Sequence, residues 1–253
     1  IKLGNNKVNR QDYLNKIKPL LVNVKKVFIS ESKRHDWGMT GDVILPGLDV
    51  NDYGGYRGEY PSVLRVGNLI KERDLMMGFT TGEAILSGLP SKTLGLNPNI
   101  LGARLSSGFD DLLEQYRSLR VYLHTTSNDY EDGYNLSLLE AMAVGMPVIS
   151  ISNKTSPIID GINGYISDDV QYLRTCVAKL LDDPVLANSL GQKARETVRK
   201  KFSQIKFLQL WVKSIEATII EFLERSPTKE QIEKNEIFSP LENTLMPQYF
   251  KNI

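Results

Sequence analysis

Cysteine is almost absent: Cys176 stands alone in 253 residues, so no disulfide can form within the chain. A reducing compartment is the simplest expectation, and with it a cytoplasmic location. A surplus of charge of one sign is absent too. The chain has 31 Lys and Arg against 30 Asp and Glu, for a formal net charge of +1. That leaves no field to draw nucleic acid or an acidic substrate, and no nucleic-acid partner is expected. No apolar run approaches the ~20 residues needed to cross a bilayer. Residues 1–20 are rich in Lys, Asn and Arg and lack the apolar centre of a signal peptide. Internal repeats and low-complexity tracts are missing. No Gly-x-Gly-x-x-Gly turn follows a strand, which argues against a nicotinamide-binding dehydrogenase domain.

What is present is ordinary globular material, 41% apolar and 24% charged. It is enough for one large domain, or for one domain with pieces of another. Residues 1–26 read as polar and helix-leaning. Val27–Ser30 is a short strand, and Ser30 or Ser32 can cap a helix running to Trp37. Gly41 leads into a strand over Val43–Pro46. Residues 49–60 (DVNDYGGYRGEY) form a Gly- and Tyr-rich linker. From Pro61 strands and helices alternate. Strands are expected at Val63–Val66, Thr93–Leu96, Val121–His124, Pro147–Ile151 and Tyr165–Ile166. Helices are expected at 73–86, 109–118, 136–144, 169–182, 184–201 and 205–224. The apolar runs are too continuous for a one-sided sheet. The expected fold is therefore α/β, a Rossmann-like parallel sheet with helices on both faces.

Ligands of such a sheet sit beyond the carboxyl ends of its strands. That points to the loops after Val66, His124 and Ser152. The most informative stretch is EDGYNLSLLEAMAVGMPVI, residues 131–149. Two acids, Glu131 and Asp132, precede Gly133, which permits a tight turn. Asn135 is a good cap for the helix that follows. That helix is apolar nearly all round, so it should be buried. Glu140 in its second turn must then face a cleft or have a partner, because a buried lone carboxylate is expensive. The helix start offers free amides and a positive dipole end, a ready site for phosphate or diphosphate. The loop acids could take sugar hydroxyls and Glu140 a ribose. On chemistry alone, anions of many other kinds remain open.

The same run resembles the signature of family 4 glycosyltransferases, which have the two-domain GT-B fold. Here the pattern reads Asp132, Gly133, Tyr134, Asn135, then Glu140, Ala141, Gly145, Pro147 and Val148. IIDGINGYIS resembles the family's Asp-Gly-x-x-Gly turn at Asp160, Gly161 and Gly164. VGNLIKERD resembles its Val-Gly-Arg-Leu strand end. The resemblance covers roughly residues 27–224. It implies a donor-binding C-terminal GT-B domain and a retaining sugar transfer with no cofactor and no bound metal; no Asp-x-Asp motif argues otherwise. It implies Glu140 on the donor ribose and Asp132 on the transferred sugar, with Glu131 able to take that place. Tyr134, Asn135, Leu136 and Ser137 would hold the donor along with Gly133, Gly67, Asn68 and His124. Lys71 and Arg73 would neutralise the diphosphate, where fixed cations are worth a few kcal/mol of barrier. Asn68 stands where the family has Arg, and Asn135 where it has Gly. NKTSP (153–157) lacks the family's Gly-Gly.

The organisation expected from this resemblance is a remnant of the acceptor-side domain at 1–45, the nucleotide-sugar domain at 46–203, and a crossing helix and tail at 204–253. Leu208, Trp211, Val212, Ile215, Ile219 and Phe222 recur at helical spacing, the pattern of a core face; in the resembled fold that helix docks on the other domain. Only about 45 residues precede the linker where a whole sheet is needed. The chain is thus expected to be incomplete as an enzyme, binding nucleotide but transferring sugar poorly alone. The acceptor stays open between glycan, lipid and protein, and peripheral membrane contact through the missing domain is allowed. The competing readings are a non-catalytic nucleotide- or partner-binding module, and a GT-B phosphorylase or epimerase sharing the pocket.

Overall fold

The computed structural model describes residues 2–3, 6–7, 10–130 and 133–225. The chain divides into two units, residues 1–211 and 212–253. The first unit opens with an antiparallel pair, β1 (Lys2–Leu3) and β2 (Asn6–Lys7), followed by α1 (Arg10–Ile17). A small parallel unit follows: β3 (Val27–Phe28), α2 (Glu31–Trp37) and β4 (Asp42–Val43). Ser30 caps α2 by accepting from the Lys33 amide at 3.1 Å, so of the two serines suggested by the sequence it is the first that serves.

The main sheet has five strands in the order β6-β5-β7-β8-β9, all parallel. These are β5 (Tyr60–Val66), β6 (Ser91–Leu94), β7 (Leu119–His124), β8 (Val148–Ser150) and β9 (Gly164–Ile166). An isolated parallel bridge from Leu94 to Arg104 extends the edge beyond β6. The helices between them are α3 (Asp74–Met77), α4 (Phe79–Leu86), α5 (Phe109–Ser118) and α6 (Leu136–Val144), and α7 (Val170–Asp182), α8 (Pro184–Lys201) and α9 (Gln204–Arg225) follow. Period-2 alternation sorts the strand side chains into two cores. Leu64, Tyr122 and Val148 pack with Tyr116, Leu139, Met142 and Val198 on one face. Val63, Val121, Leu123 and Ile149 pack with Ile85, Leu173, Val177 and Leu180 on the other. Every residue of β7 is buried, as a strand covered on both faces requires.

The single helix expected over 73–86 is two. Gly78, at φ +62°, ends α3 and begins α4. A Cβ there would run into the Thr125 carbonyl oxygen, so glycine is what lets the start of α4 approach β7 this closely. Asp74 then caps α4 through the Thr80 amide at 2.8 Å. The strand expected at Thr93–Leu96 ends at Leu94, because residues 95–97 turn back to bond the loop after β5. The apolar stripe read as a core face is exposed: Leu208, Trp211, Val212, Ile215, Ile219 and Phe222 all face solvent. Helical spacing marks an apolar face without specifying what covers it. The tail from Ser226 lies outside the described residues. Among the described residues, no helix is long and apolar enough to cross a membrane.

Candidate functional site

The first strand of the main sheet, β5, lies between β6 and β7, so the chain winds one way to β6 and then the other way through β7, β8 and β9. The crevice between the carboxyl ends of β5 and β7 is the switch point at which such sheets bind ligands. The loops opening there are 67–73 after β5 and 125–135 after β7. Every donor-site residue expected from the sequence is on these loops, at the end of β7, or in the first two turns of α6. Glu131 and Asp132 lie outside the described residues.

On the β5 side, the Gly67 amide continues the sheet to the Leu94 carbonyl at 3.0 Å. Asn68 stands in the family's arginine position as a latch: its Oδ1 accepts from the Leu96 amide at 2.8 Å. Leu69 adopts φ +54°, the one non-glycine positive φ among the described residues. A left-handed L-residue costs roughly 1–2 kcal/mol, so neighbouring contacts must hold it there. Lys71 and Arg73 are both exposed. Lys71 Nζ is 5.7 Å from the Phe79 ring centroid, and Arg73 Nη2 lies 2.7 Å from Met76 Sδ. Among the described residues neither cation makes an ion pair with a carboxylate, so both are placed to answer an anion over this loop.

On the β7 side, His124 is buried, and its Nδ1 is 3.2 Å from Ser150 Oγ. Ser150 donates its only proton to the Ile151 carbonyl at 2.8 Å, which puts the imidazole proton on Nδ1. Burial lowers the His124 pKa to about 4, so the ring is neutral at physiological pH. A small recess of about 10 Å³ is lined by His124, Tyr134, Asn135, Asn153, Thr155 and Pro157 among others. Gly133, at φ +123°, gives its carbonyl to Thr155 Oγ1 at 2.6 Å, which is the work of NKTSP where the family has Gly-Gly. Tyr134 packs edge-on to Phe202 at 4.8 Å, with Lys201 Nζ 5.4 Å from the Tyr134 ring.

Asn135 caps α6 as its sequence position suggested, accepting from the Leu138 amide at 3.0 Å. Asn135→Ala should cost about 1 kcal/mol of stability, and Asn135→Gly only a few tenths, measured by urea denaturation. With the Leu138 amide used by the cap, the Leu136 and Ser137 amides are the ones the helix start presents to an anion. Leu136 is exposed and Ser137 half-buried.

Glu140 has a partner that the sequence did not single out. Tyr116, fully buried in α5, donates its hydroxyl to Glu140 Oε2 at 3.2 Å. The Ser137 side chain lies close enough to Tyr116 to oppose the rise of its pKa, and Tyr53, in the linker, lies close enough that Glu140 helps raise its own. Burial pushes the Glu140 pKa up, and the Tyr116 bond works against that rise. The acid thus keeps Oε1 available for a further donor. Tyr116 was legible only as a core position on an amphipathic helix; nothing in its spacing marks it as a partner for Glu140. In the second motif, Asp160 accepts from the Ile166 amide at 2.9 Å and the Tyr172 hydroxyl at 2.8 Å. That Asp-Gly-x-x-Gly turn therefore builds the start of β9 and does not enter the crevice. Cys176 is buried, with a pKa raised chiefly by that burial.

Residues 75–183 match the family model of glycosyl transferases group 1. The Anabaena protein Alr3699/HepE, solved in complex with UDP and glucose, superposes with a TM-score of 0.67 over 81% of this chain and 67% of its own, at 14% identity. The chain has the GT-B fold, and residues 75–183 are similar to glycosyl transferases group 1. Among curated proteins, the GT-B domain is 33% identical over 95 residues to poly(ribitol-phosphate) alpha-N-acetylglucosaminyltransferase of Staphylococcus aureus (strain COL), which is 36% of this chain and 19% of that protein. It is 26% identical over 137 residues to the capsular polysaccharide biosynthesis glycosyltransferase CapM of Staphylococcus aureus, 53% of this chain and 33% of that protein. The match therefore spans a third or less of these relatives' own length. The family model runs from Leu75, so the loop carrying Lys71 and Arg73 lies just before the matched stretch and α6 lies inside it.

Proposed function

We propose that this GT-B domain binds the nucleotide-diphosphate sugar donor of a retaining glycosyltransferase whose acceptor is a glycan. The observation that carries the reading is the position of Glu140: a half-buried acid in the second turn of a capped helix at the sheet's switch point, held through Oε2 by Tyr116. The ribose would bond Glu140, and the diphosphate would lie between the α6 amides and Lys71 with Arg73. These charges, fixed before the reaction, would stabilise the departing diphosphate as the glycosidic bond breaks. HepE, of the same fold, binds UDP and glucose.

The test is calorimetric titration of the chain with nucleoside diphosphates and their sugar conjugates. One base should bind with a dissociation constant between about 1 μM and 1 mM, the usual range for enzyme substrates. Silence from every nucleotide in that range would sink the reading. Retention is checked by the anomeric configuration of the product, and an inverted anomer overturns that part alone. The uncharged, latched Asn68 favours a second reading, a nucleotide-binding module without turnover, which binding with no transfer in the presence of a full acceptor domain would support.

A further inference from the structure

We propose that Asn97 is a positioning residue for the donor diphosphate, acting through the backbone of residues 67–70; this rests on the donor reading above. Asn97 is 5% exposed and touches that loop with both ends of its carboxamide. Its Nδ2 donates to the Gly67 carbonyl at 2.7 Å, and its Oδ1 accepts from the Ile70 amide at 2.8 Å. One side chain thus closes the turn that contains Leu69. Two further bonds run between the same loops. The Leu69 amide donates to the Leu96 carbonyl at 2.8 Å, and the Leu96 amide to Asn68 Oδ1 at 2.8 Å. Gly95, at φ +118°, lets the two backbones meet, since a Cβ there would press on the Gly67 carbonyl oxygen.

The consequence is geometric. Lys71 and Arg73 are exposed and lie one and three residues past the last clamped amide, that of Ile70, so their starting positions are set by a turn that Asn97 holds closed. Leu69 keeps its left-handed backbone because bonds on both sides over-determine it. Pro98 follows Asn97 and restricts its backbone to extended conformations, which keeps the carboxamide directed at the loop. An uncharged Asn68 becomes intelligible on the same terms: the position is used to build the clamp, and the charge is carried further along the loop.

The experiment separates the phosphate end of the ligand from the rest. Wild type, Asn97→Ala, Asn97→Ser and Asn99→Ala are titrated with UDP and with uridine, and melting temperatures are recorded. Asn99 makes an exposed bond to Glu72 between the same two loops, at 2.6 Å, and serves as control. Asn97→Ala should weaken UDP on the order of tenfold or more, as misplacement of binding groups does, with uridine unchanged. Asn97→Ser keeps one of the two bonds, is the safer variant to fold, and should fall between. Equal losses for UDP and uridine, unchanged UDP affinity in folded Asn97→Ser, or an equal effect in Asn99→Ala would overturn the proposal while leaving the donor reading standing. Failure of wild type to bind UDP or any other nucleotide removes the donor reading, and the proposal with it.

Discussion

Glu140→Gln should raise the melting temperature of the ligand-free protein and weaken its binding of nucleotide. The two effects have one origin. Burial raises the Glu140 pKa above its ordinary 4.5, so the folded protein holds the acidic proton more readily than the unfolded chain does. A raised acid contributes stability at low pH that is lost as pH rises through the folded pKa. At neutral pH the carboxylate is therefore held at a cost, which glutamine removes at nearly constant volume. The ionised oxygen is also the stronger acceptor for ribose hydroxyls. Bonds to charged groups contribute about 1.5–3 kcal/mol, so Glu140→Ala should weaken nucleotide on the order of 10–100-fold. Binding should decline as pH falls through the raised pKa, starting above the ordinary glutamate range. Tyr116→Phe removes the bond that opposes the rise and should move that decline to still higher pH. Thermal shift and calorimetry across pH 4–8 check both directions, and a Glu140→Gln protein that is less stable and binds equally well contradicts them.

The stability gain has a bearing on how the site could be read from residues alone. Glu140 was conspicuous because an apolar helix has no use for a carboxylate, and that mismatch is visible in the sequence. The capping Asn135 and the strand–loop–helix around it were equally legible, since both depend on neighbours a few positions apart. The helix bounds 109–118, 136–144 and 184–201 follow from apolar spacing and are matched by the structure. What spacing could not show was any pairing across the sheet. Tyr116 meets Glu140 from another helix, and Asn97 meets Gly67 and Ile70 from another strand's loop. Asn68 read only as a departure from the family's arginine because its partner, the Leu96 amide, is 28 residues away. The break at Gly78 was hidden for the same reason: its cause is the Thr125 carbonyl just past β7. Local chemistry announced the site, and long-range contacts decided how each residue in it is used.

His124 should make the protein acid-sensitive over a window set by its own pKa values. Unfolded, the ring titrates near 6.5; folded, burial holds it to about 4. Between those values the unfolded chain binds more protons than the folded one, so stability rises with pH there. The contribution is complete above pH 6.5 and is lost as pH falls towards 4. At 1.36 kcal/mol per pKa unit, the loss is about 2 kcal/mol by pH 5 and about 3 kcal/mol by pH 4. Urea denaturation at pH 7, 6, 5 and 4 measures it. His124→Gln keeps a hydrogen-bonding group near Ser150 and cannot take the proton, so its stability should fall less over this range by those amounts. Parallel curves for the two proteins would refute the assignment. His124 lines the same recess as Asn135 and Tyr134, so the charge that destabilises the fold appears beside the start of α6. Acid would then act on the site twice, by protonating Glu140 as it passes that group's raised pKa and by loosening the strand end that carries the loop above it.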